Sequence, residues 1–200
     1  MTPIQETNPL KPELGYIDEF YSKIVLGTVP FWHNIKFSPN MLTTLGLICS
    51  ILFLYFLWKR NLFLSLLFLF LRQYFDYADG LLARKYNKTS KFGDLYDHIS
   101  DTIFFCIPLI ILLIFTTKKP VLYLTMIIPS IFLAIMSLGC SEKAYKEQTS
   151  NTDESPSLNF TEKLCFNKTL LKIFDTSFMY IIIALVVIMV CLDKSDPKVS

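Results

Sequence analysis

Five long apolar segments dominate the pattern of hydrophobic and polar positions along this chain. Each approaches the ~20 residues that a helix needs to cross a bilayer. The segments lie at 41–58, 61–82, 99–117, 120–138 and 170–192. This pattern predicts an all-α fold, a polytopic transmembrane bundle of about five spans.

A shorter, aromatic-rich segment at 14–37 precedes the first span. Its apolar residues recur at positions 16/17, 20/21 and 24/25, which is the spacing of one helix face. We expect an amphipathic helix that lies in the membrane interface. The preceding residues, 1–13, read as a polar tail in which no cleavable signal peptide is evident.

The rest of the chain divides by composition. We expect one membrane-embedded domain over 38–193 and a short tail at 194–200. Within the domain, residues 141–169 begin with a run rich in Ser, Thr, Asn and Glu, which predicts a flexible loop.

Composition agrees with a membrane protein. Apolar residues make up 52% of the chain and charged residues 18%, so it is more apolar and less charged than an ordinary soluble domain. The net charge of +2 includes no basic block that would suggest a nucleic-acid partner. The five cysteines are scattered without a CxxC pair, which predicts small packing residues and no disulfide framework.

Lysine and arginine are unevenly distributed between the two sides of the predicted bundle. Twelve fall on the side of the N-terminus, the 84–91 loop and the 140–169 loop, and six fall on the other side. The positive-inside rule therefore places the first side in the cytoplasm. In a eukaryotic host we would expect an endomembrane such as the endoplasmic reticulum.

Four aspartates lie where the second and third spans approach one interface. Asp76 and Asp79 are three residues apart on one segment, and Asp97 and Asp101 are four apart on the next, so each pair shares a helix face. A loop of about ten residues joins the segments, so we expect antiparallel neighbours with the pairs facing each other. Carboxylates at membrane depth cost about 2.5–3.5 kcal/mol each, which calls for compensation.

Such a cluster suits hard divalent cations, Mg²⁺ or Mn²⁺ first and Ca²⁺ next. Two such ions can clamp a phosphoryl group during transfer. Gly80 and Ala83 share the face of Asp76 and either leave room for a ligand or let helices approach closely. Arg84 either binds phosphate or anchors the positive side. Arg72 is expected to form an ion pair with Asp76 and to be structural.

The motif D-x2-D-G-x2-A-R-x8-G-x3-D-x3-D in this chain resembles the signature of the CDP-alcohol phosphatidyltransferases. The resemblance implies a membrane enzyme of phospholipid biosynthesis that joins an alcohol to the phosphate of a CDP-linked partner and releases CMP. The fixed positions that match are Asp76, Asp79, Gly80, Ala83, Arg84, Gly93, Asp97 and Asp101.

The same resemblance implies roles for individual residues. Asp76, Asp79 and Asp97 would hold two divalent ions, Mg²⁺ or Mn²⁺, and Asp101 would be the general base and also touch metal. The CDP pocket would be shaped by Asn40, Gly80, Ala83, Arg84 and Gly93. The element Ser38-Pro39-Asn40, which opens the first span, is similar to the family's, with Asn40 near the nucleotide.

The resemblance implies a class of substrates and leaves two branches of the family open. The donor would be a CDP-linked lipid or alcohol, and the acceptor hydroxyl would belong to diacylglycerol or a small polar alcohol. The Pro30-Phe31-Trp32 element and Asp97-His98 resemble choline/ethanolamine phosphotransferases, toward which we lean. Lys91-Phe92-Gly93 resembles the CDP-diacylglycerol-dependent phosphatidylinositol and phosphatidylglycerophosphate synthases, which are the alternative.

Family members commonly have six core spans where this chain shows five, and the resemblance implies a homodimer. Two other classes of function remain open. One is a cation-pathway protein, which accounts for the carboxylates but not for Gly80, Ala83 and Arg84. The other is a non-catalytic relative, which the intact motif disfavours.

Overall fold

The computed structural model describes residues 10, 15–115, 120–149, 165 and 172–192, and the structural statements below concern these residues. This part of the chain is helical and contains no strand, so the all-α prediction is confirmed. Its helices in chain order are α1 (Tyr16–Leu26), α2 (Val29–Asn34), α3 (Pro39–Trp58), α4 (Leu62–Lys85), α5 (Lys91–Phe115), α6 (Pro120–Thr149) and α7 (Thr176–Leu192).

In the part of the chain that the structure describes, two stretches of helix are long and apolar enough to cross a membrane, Pro39–Trp58 and Val121–Ser141. A third apolar helix, Thr176–Leu192, is shorter. Within the described residues, each predicted span overlaps one of α3 to α7, and the number of spans stays a prediction.

The predicted interfacial segment forms two helices rather than one. The first ends at Leu26, and Gly27 and Thr28 separate it from α2. Tyr16, Phe20 and Ile24 on α1 remain exposed, at 61%, 68% and 56% of their surface. An exposed apolar stripe of this kind suits a helix at a membrane surface, and that location remains a prediction.

Two boundaries differ from the sequence-based expectation. The predicted loop at 141–169 is wrong for its first nine residues, because α6 continues through Thr149. That stretch, Ser-Glu-Lys-Ala-Tyr-Lys-Glu-Gln-Thr, is rich in good helix formers, which outweigh its polarity. Residues 150–164 and 166–169 of the predicted loop lie outside the described residues. The last apolar helix begins at Thr176 rather than at residue 170, with Asp175 as its N-cap.

The expectation of no disulfide is also wrong. Cys140 on α6 is bonded to Cys165, with their Cα atoms 5.1 Å apart. Spacing along the chain gave no sign of this bond, since the two residues are 25 positions apart and fit no metal or redox motif. Cys49, Cys106 and Cys191 are free thiols.

Helices α3 and α4 take part in two separate hydrophobic clusters. One cluster joins them to α5, α6 and α7 through side chains that include Phe53, Leu69, Phe104 and Met179. The other joins them to α1 and α2 through Val25, Val29, Leu42, Ala78 and Leu81. The first cluster therefore holds the amino-terminal half of α4, and the second holds its carboxyl-terminal half, which carries the first part of the aspartate motif.

Helix starts are set by local capping. Ser38 accepts a hydrogen bond from the backbone N–H of Met41 at 3.3 Å, and Pro39 occupies the first turn of α3.

The α4–α5 connection comprises only residues 86–90, which is shorter than the ten or so residues expected from the sequence. Asn87 makes this tight turn possible with a φ of 51°, a left-handed conformation that asparagine tolerates.

Candidate active site

Three of the four motif aspartates lie together where α4 and α5 face each other. Asp76 on α4 and both Asp97 and Asp101 on α5 each offer an oxygen within 4.8 Å of the others. All three side chains are partly buried. Asp76 of the first pair thus meets both aspartates of the second pair, and the short α4–α5 turn brings them together.

Asp79 lines the same cavity but is engaged differently. Its side chain is almost fully buried, and its Oδ2 accepts a hydrogen bond from Thr43 Oγ1 at 2.5 Å. Thr43 lies on α3, one turn after Asn40. The hydroxyl therefore fixes one oxygen of Asp79 against the neighbouring helix.

Arg72 connects the two helices of the motif by bonding an aspartate on each. It is completely buried and donates from Nη1 to Asp76 at 2.7 Å and from Nη2 to Asp101 at 2.5 Å. Its guanidinium also lies 5.4 Å from the centre of the Phe104 ring. The predicted pairing with Asp76 is confirmed, and the bridge to Asp101 makes Arg72 part of the cluster.

Gly46 on α3 gives this guanidinium its space. A Cβ atom at position 46 would lie 3.3 Å from Arg72 Nη1 and 3.5 Å from its Cδ. A side chain there would press on the buried arginine, so the glycine permits the close approach of α3 to α4.

A cavity of about 140 Å³ opens over the aspartates. It brings residues of the motif together with residues far away in the sequence. Its walls are formed by Leu10, Asp18, Ser22, Asp76, Tyr77, Asp79, Gly80, Leu81, Arg84, Asp97, His98, Asp101, Leu138 and Thr176.

Two residues of the expected CDP pocket, Gly80 and Arg84, line this cavity. A Cβ at position 80 would lie only 3.1 Å from Arg84 Nη1, because the guanidinium folds back over the glycine. Ala83 is not part of the wall; its backbone carbonyl accepts the Lys88 N–H at 2.8 Å and helps to shape the turn.

The other two expected pocket residues, Asn40 and Gly93, lie beside each other at the start of α3 and α5. A Cβ at position 93 would be 3.1 Å from Asn40 Oδ1 and 3.0 Å from Ser90 Oγ. Neither residue is part of the cavity wall in this structure. Because a Cβ at position 93 would crowd Asn40, a glycine there lets the start of α5 approach Asn40.

The donor set fits hard divalent cations. The clustered atoms are carboxylate oxygens, the ligand type that Mg²⁺ and Mn²⁺ prefer. The four motif carboxylates together with Arg72 carry a formal charge of about −3. Two divalent ions would more than offset this charge. Asp76, Asp97 and Asp101 are the residues placed to share an ion, with Asp79 next to them.

Comparison with known proteins identifies the family. The sequence model of the CDP-alcohol phosphatidyltransferases matches residues 36–195, which is most of the chain and includes every residue of the aspartate cluster. The chain belongs to the CDP-alcohol phosphatidyltransferase family. Membership makes it a phosphotransferase, and integral membrane proteins are the rule in this family.

Individual relatives differ in substrate. The chain is similar to a CDP-diacylglycerol–glycerol-3-phosphate 3-phosphatidyltransferase of Aquifex aeolicus, 26% identical over 72% of this chain and 82% of the relative. It is also similar to a CDP-diacylglycerol–serine O-phosphatidyltransferase of Bacillus subtilis, 33% identical over 35% of this chain and 40% of the relative. Cholinephosphotransferase 1 of Danio rerio is 32% identical over 42% of this chain and 24% of its own length.

In this CDP-alcohol phosphatidyltransferase, some residues of the site escaped the sequence analysis. Thr43 and Gly46 lie on a different segment from the motif. The available signal was the three-residue spacing from Asn40 to Thr43 and from Thr43 to Gly46. Asp18, Ser22 and Thr176 reach the cavity from opposite ends of the chain. No spacing rule along the sequence connects those positions.

Proposed function

We propose that this protein catalyses the metal-dependent transfer of a phospho-alcohol or phosphatidyl group from a CDP-linked donor to a hydroxyl acceptor, with release of CMP. One observation carries the proposal. Three carboxylate oxygens converge within 4.8 Å in a cavity whose wall also contains Gly80 and Arg84. Carboxylate oxygens suited to hard cations, next to a guanidinium that can bind phosphate, support a phosphoryl-transfer site.

The proposed cofactors are two divalent ions, Mg²⁺ or Mn²⁺, held by Asp76, Asp79, Asp97 and Asp101. When bound, such ions neutralise charge on the pyrophosphate and stabilise the CMP leaving group. The neighbouring guanidinium of Arg84 is placed to bind a phosphate oxygen. The backbone at Gly80 leaves space for that contact.

Asp101 is the proposed general base. Arg72 holds its Oδ1, which fixes the orientation of the carboxylate toward the cavity. A fixed carboxylate can accept the proton of the acceptor hydroxyl as that oxygen attacks phosphorus. In this arrangement Arg72 positions the base. The Arg72 side chain has no exposed surface, so water does not reach the guanidinium.

Two donor classes are candidates. An aminoalcohol phosphotransferase that uses CDP-choline or CDP-ethanolamine is favoured by the Pro30-Phe31-Trp32 element and by His98, which lines the cavity beside Asp97. A CDP-diacylglycerol-dependent synthase is favoured by the relative from Aquifex aeolicus, which aligns over more of the chain than the cholinephosphotransferase does.

One assay distinguishes these candidates. Membranes containing the protein are given CDP-choline or CDP-ethanolamine with diacylglycerol, or CDP-diacylglycerol with inositol, serine or glycerol 3-phosphate, and CMP and labelled lipid are measured. Membranes with Asp97→Asn serve as the control. CMP release from none of these donors, with wild-type protein present in the membrane, contradicts the proposal.

Location and assembly are further proposals. We propose a multi-pass protein with its active site facing the cytoplasm, in an endomembrane if the host is eukaryotic, since lysine and arginine concentrate on the motif side. We also propose a homodimer, as the family resemblance implies. Mass measurement after gentle detergent extraction tests the dimer, and an active monomer of 23.2 kDa would contradict it.

A further inference from the structure

Two aspartates outside the family motif cap each other's helices. Asp18 lies in the first turn of α1 and Asp175 immediately precedes α7, more than 150 residues away. Both side chains are buried, at 6% and 0% exposed surface. We call this pair the crossed caps.

The cap of α1 comes from α7. The first N–H groups of a helix have no partner within the helix, and a side chain at the N-cap normally accepts from them. The N-cap of α1 is Gly15, which has no side chain. Asp175 Oδ2 accepts instead, from the N–H groups of Ile17 and Asp18, each at 2.9 Å.

The cap of α7 comes in turn from α1. Asp18 accepts from the N–H of Ser177 through Oδ1 at 2.7 Å and from the N–H of Thr176 through Oδ2 at 3.2 Å. Asp175 completes the set by accepting from Phe178 at 2.8 Å. Each carboxylate thus faces the positive end of the other helix, which offsets part of the cost of burying its charge.

Gly15 is required for this approach. A Cβ atom at position 15 would lie 2.1 Å from the Cβ of Asp175, closer than two such atoms can come. The glycine therefore serves the contact between the two helices rather than backbone flexibility, since its φ of −62° is open to any residue.

The crossed caps are tied to the motif helix. Tyr77, next to the cluster residue Asp76, donates its hydroxyl to Asp18 Oδ1. Gln73, also on α4, donates to Ser177 Oγ at 2.9 Å. Asp18 and Thr176 line the cavity that contains the aspartate cluster. Part of the cavity wall is therefore built from the starts of α1 and α7.

We propose that Asp18 and Asp175 are positioning residues that hold α1 against α7 and thereby complete the wall of the substrate cavity. This inference rests on the proposed function for its substrate, the CDP-linked donor. Neither carboxylate needs to touch the reacting atoms. Loss of the crossed caps releases α1, and the donor then binds more weakly while the transfer step at the aspartate cluster is preserved.

Hydrogen exchange of the full-length purified protein tests the crossed caps without any assay of activity. Asp18→Ala removes the acceptor for Thr176 and Ser177, so exchange in the peptide that contains them rises ~10-fold or more. Asp175→Ala raises exchange at Ile17 and Asp18 similarly. Glu19→Ala is the matched control, because Glu19 lies on the same helix and its exposed side chain is bonded to Lys23 at 2.6 Å.

Kinetics of the same variants test the role in positioning. We expect Asp18→Ala to raise the KM for the CDP-linked donor ~5-fold or more with kcat within ~2-fold, and Glu19→Ala to leave both unchanged. Asp18→Asn, which keeps the size of the side chain and one acceptor oxygen, gives a smaller change in the same direction and covers a failure of the alanine variant to fold.

The outcomes distinguish the crossed caps themselves from their role in substrate positioning. Exchange that rises only near each substituted residue overturns the crossed caps. Reciprocal exchange with unchanged KM overturns their role in substrate positioning. If wild-type protein releases no CMP, the proposed function and the positioning role fall together, while reciprocal exchange would still support the crossed caps.

Discussion

The protein buries carboxylates in two places, and it compensates them in opposite ways. At the aspartate cluster, a buried arginine supplies a full positive charge to Asp76 and Asp101, and the oxygens of three aspartates converge within 4.8 Å. At the crossed caps, backbone N–H groups at two helix starts and the Tyr77 hydroxyl supply the hydrogen bonds.

This difference separates a site for ligands from a structural contact. Convergent carboxylates repel one another, so the cluster has a reason to bind further cations. Both oxygens of each crossed cap accept hydrogen bonds from the protein, so that pair gains nothing from a cation. The comparison predicts that the two places respond differently to metal, charge and pH.

Removal of divalent ions is expected to have the largest effect. Chelation with EDTA should lower CMP release by ~10³-fold or more, because the cluster would lose the ions that neutralise the pyrophosphate. Added Mg²⁺ or Mn²⁺ should restore the activity. Amide exchange at Ile17, Asp18, Thr176 and Ser177 should be the same with and without chelator. Full activity after thorough chelation would contradict the metal assignment.

Substitution of the proposed base is expected to rank next. Asp101→Asn keeps the size of the side chain and removes its basicity, so turnover should fall by ~10²-fold or more. The donor should bind to this variant better than to Asp76→Asn. Asp94→Asn is the control, since Asp94 is on the same helix but not in the cavity wall. Normal turnover in Asp101→Asn would show that another group takes the proton.

Arg72 tests how the cluster is compensated when no metal is bound. Arg72→Met leaves buried carboxylates without their cation, which should destabilise the fold by about 3–5 kcal/mol in chelator. The loss should be smaller in Mg²⁺, because metal would replace part of the missing charge. Thermal unfolding of detergent-solubilised protein measures both. Equal losses in the two buffers would mean that metal and Arg72 do not share these carboxylates.

The crossed caps should give the smallest effect, a dependence of stability on pH. Asp175 precedes α7 and lies outside that apolar helix, where burial, followed by the repulsion of Asp18, raises its pKa from 3.8 to about 6. Burial likewise raises the pKa of Asp18, and Tyr77 is the other titratable group in contact. Because the folded state then binds the proton more strongly than the unfolded state, stability should rise as pH falls through 6.

Asp175→Asn removes this titration and isolates it. The stability of wild-type protein relative to the variant should increase by about 1 kcal/mol between pH 7 and pH 5. Denaturation of the two proteins in the same detergent at both pH values measures the change. A difference that stays constant, or that decreases toward pH 5, would show that Asp175 does not titrate in this range.

Local features of the chain were sufficient to predict much of the fold and most of the cluster. Apolar runs marked α3 to α7, since burial in lipid or in a helical core demands such composition over a whole helix. The i, i+3 and i, i+4 spacings placed the aspartates on facing surfaces, because a helix fixes side-chain direction at short range. The polar composition of residues 141–149 predicted a loop, but their helix propensity continues α6 through Thr149.

By itself, then, the sequence determined the positions of the long apolar helices, the family and the aspartates of the motif, because each depends on residues close together in the chain. Only the tertiary structure decided that Arg72 bridges Asp76 to Asp101, that Thr43 engages Asp79 and that Cys140 bonds Cys165. It alone brought Asp18 to Asp175 across 157 positions. Such contacts depend on how whole helices pack, and a sequence pattern with a short period carries no information about that packing.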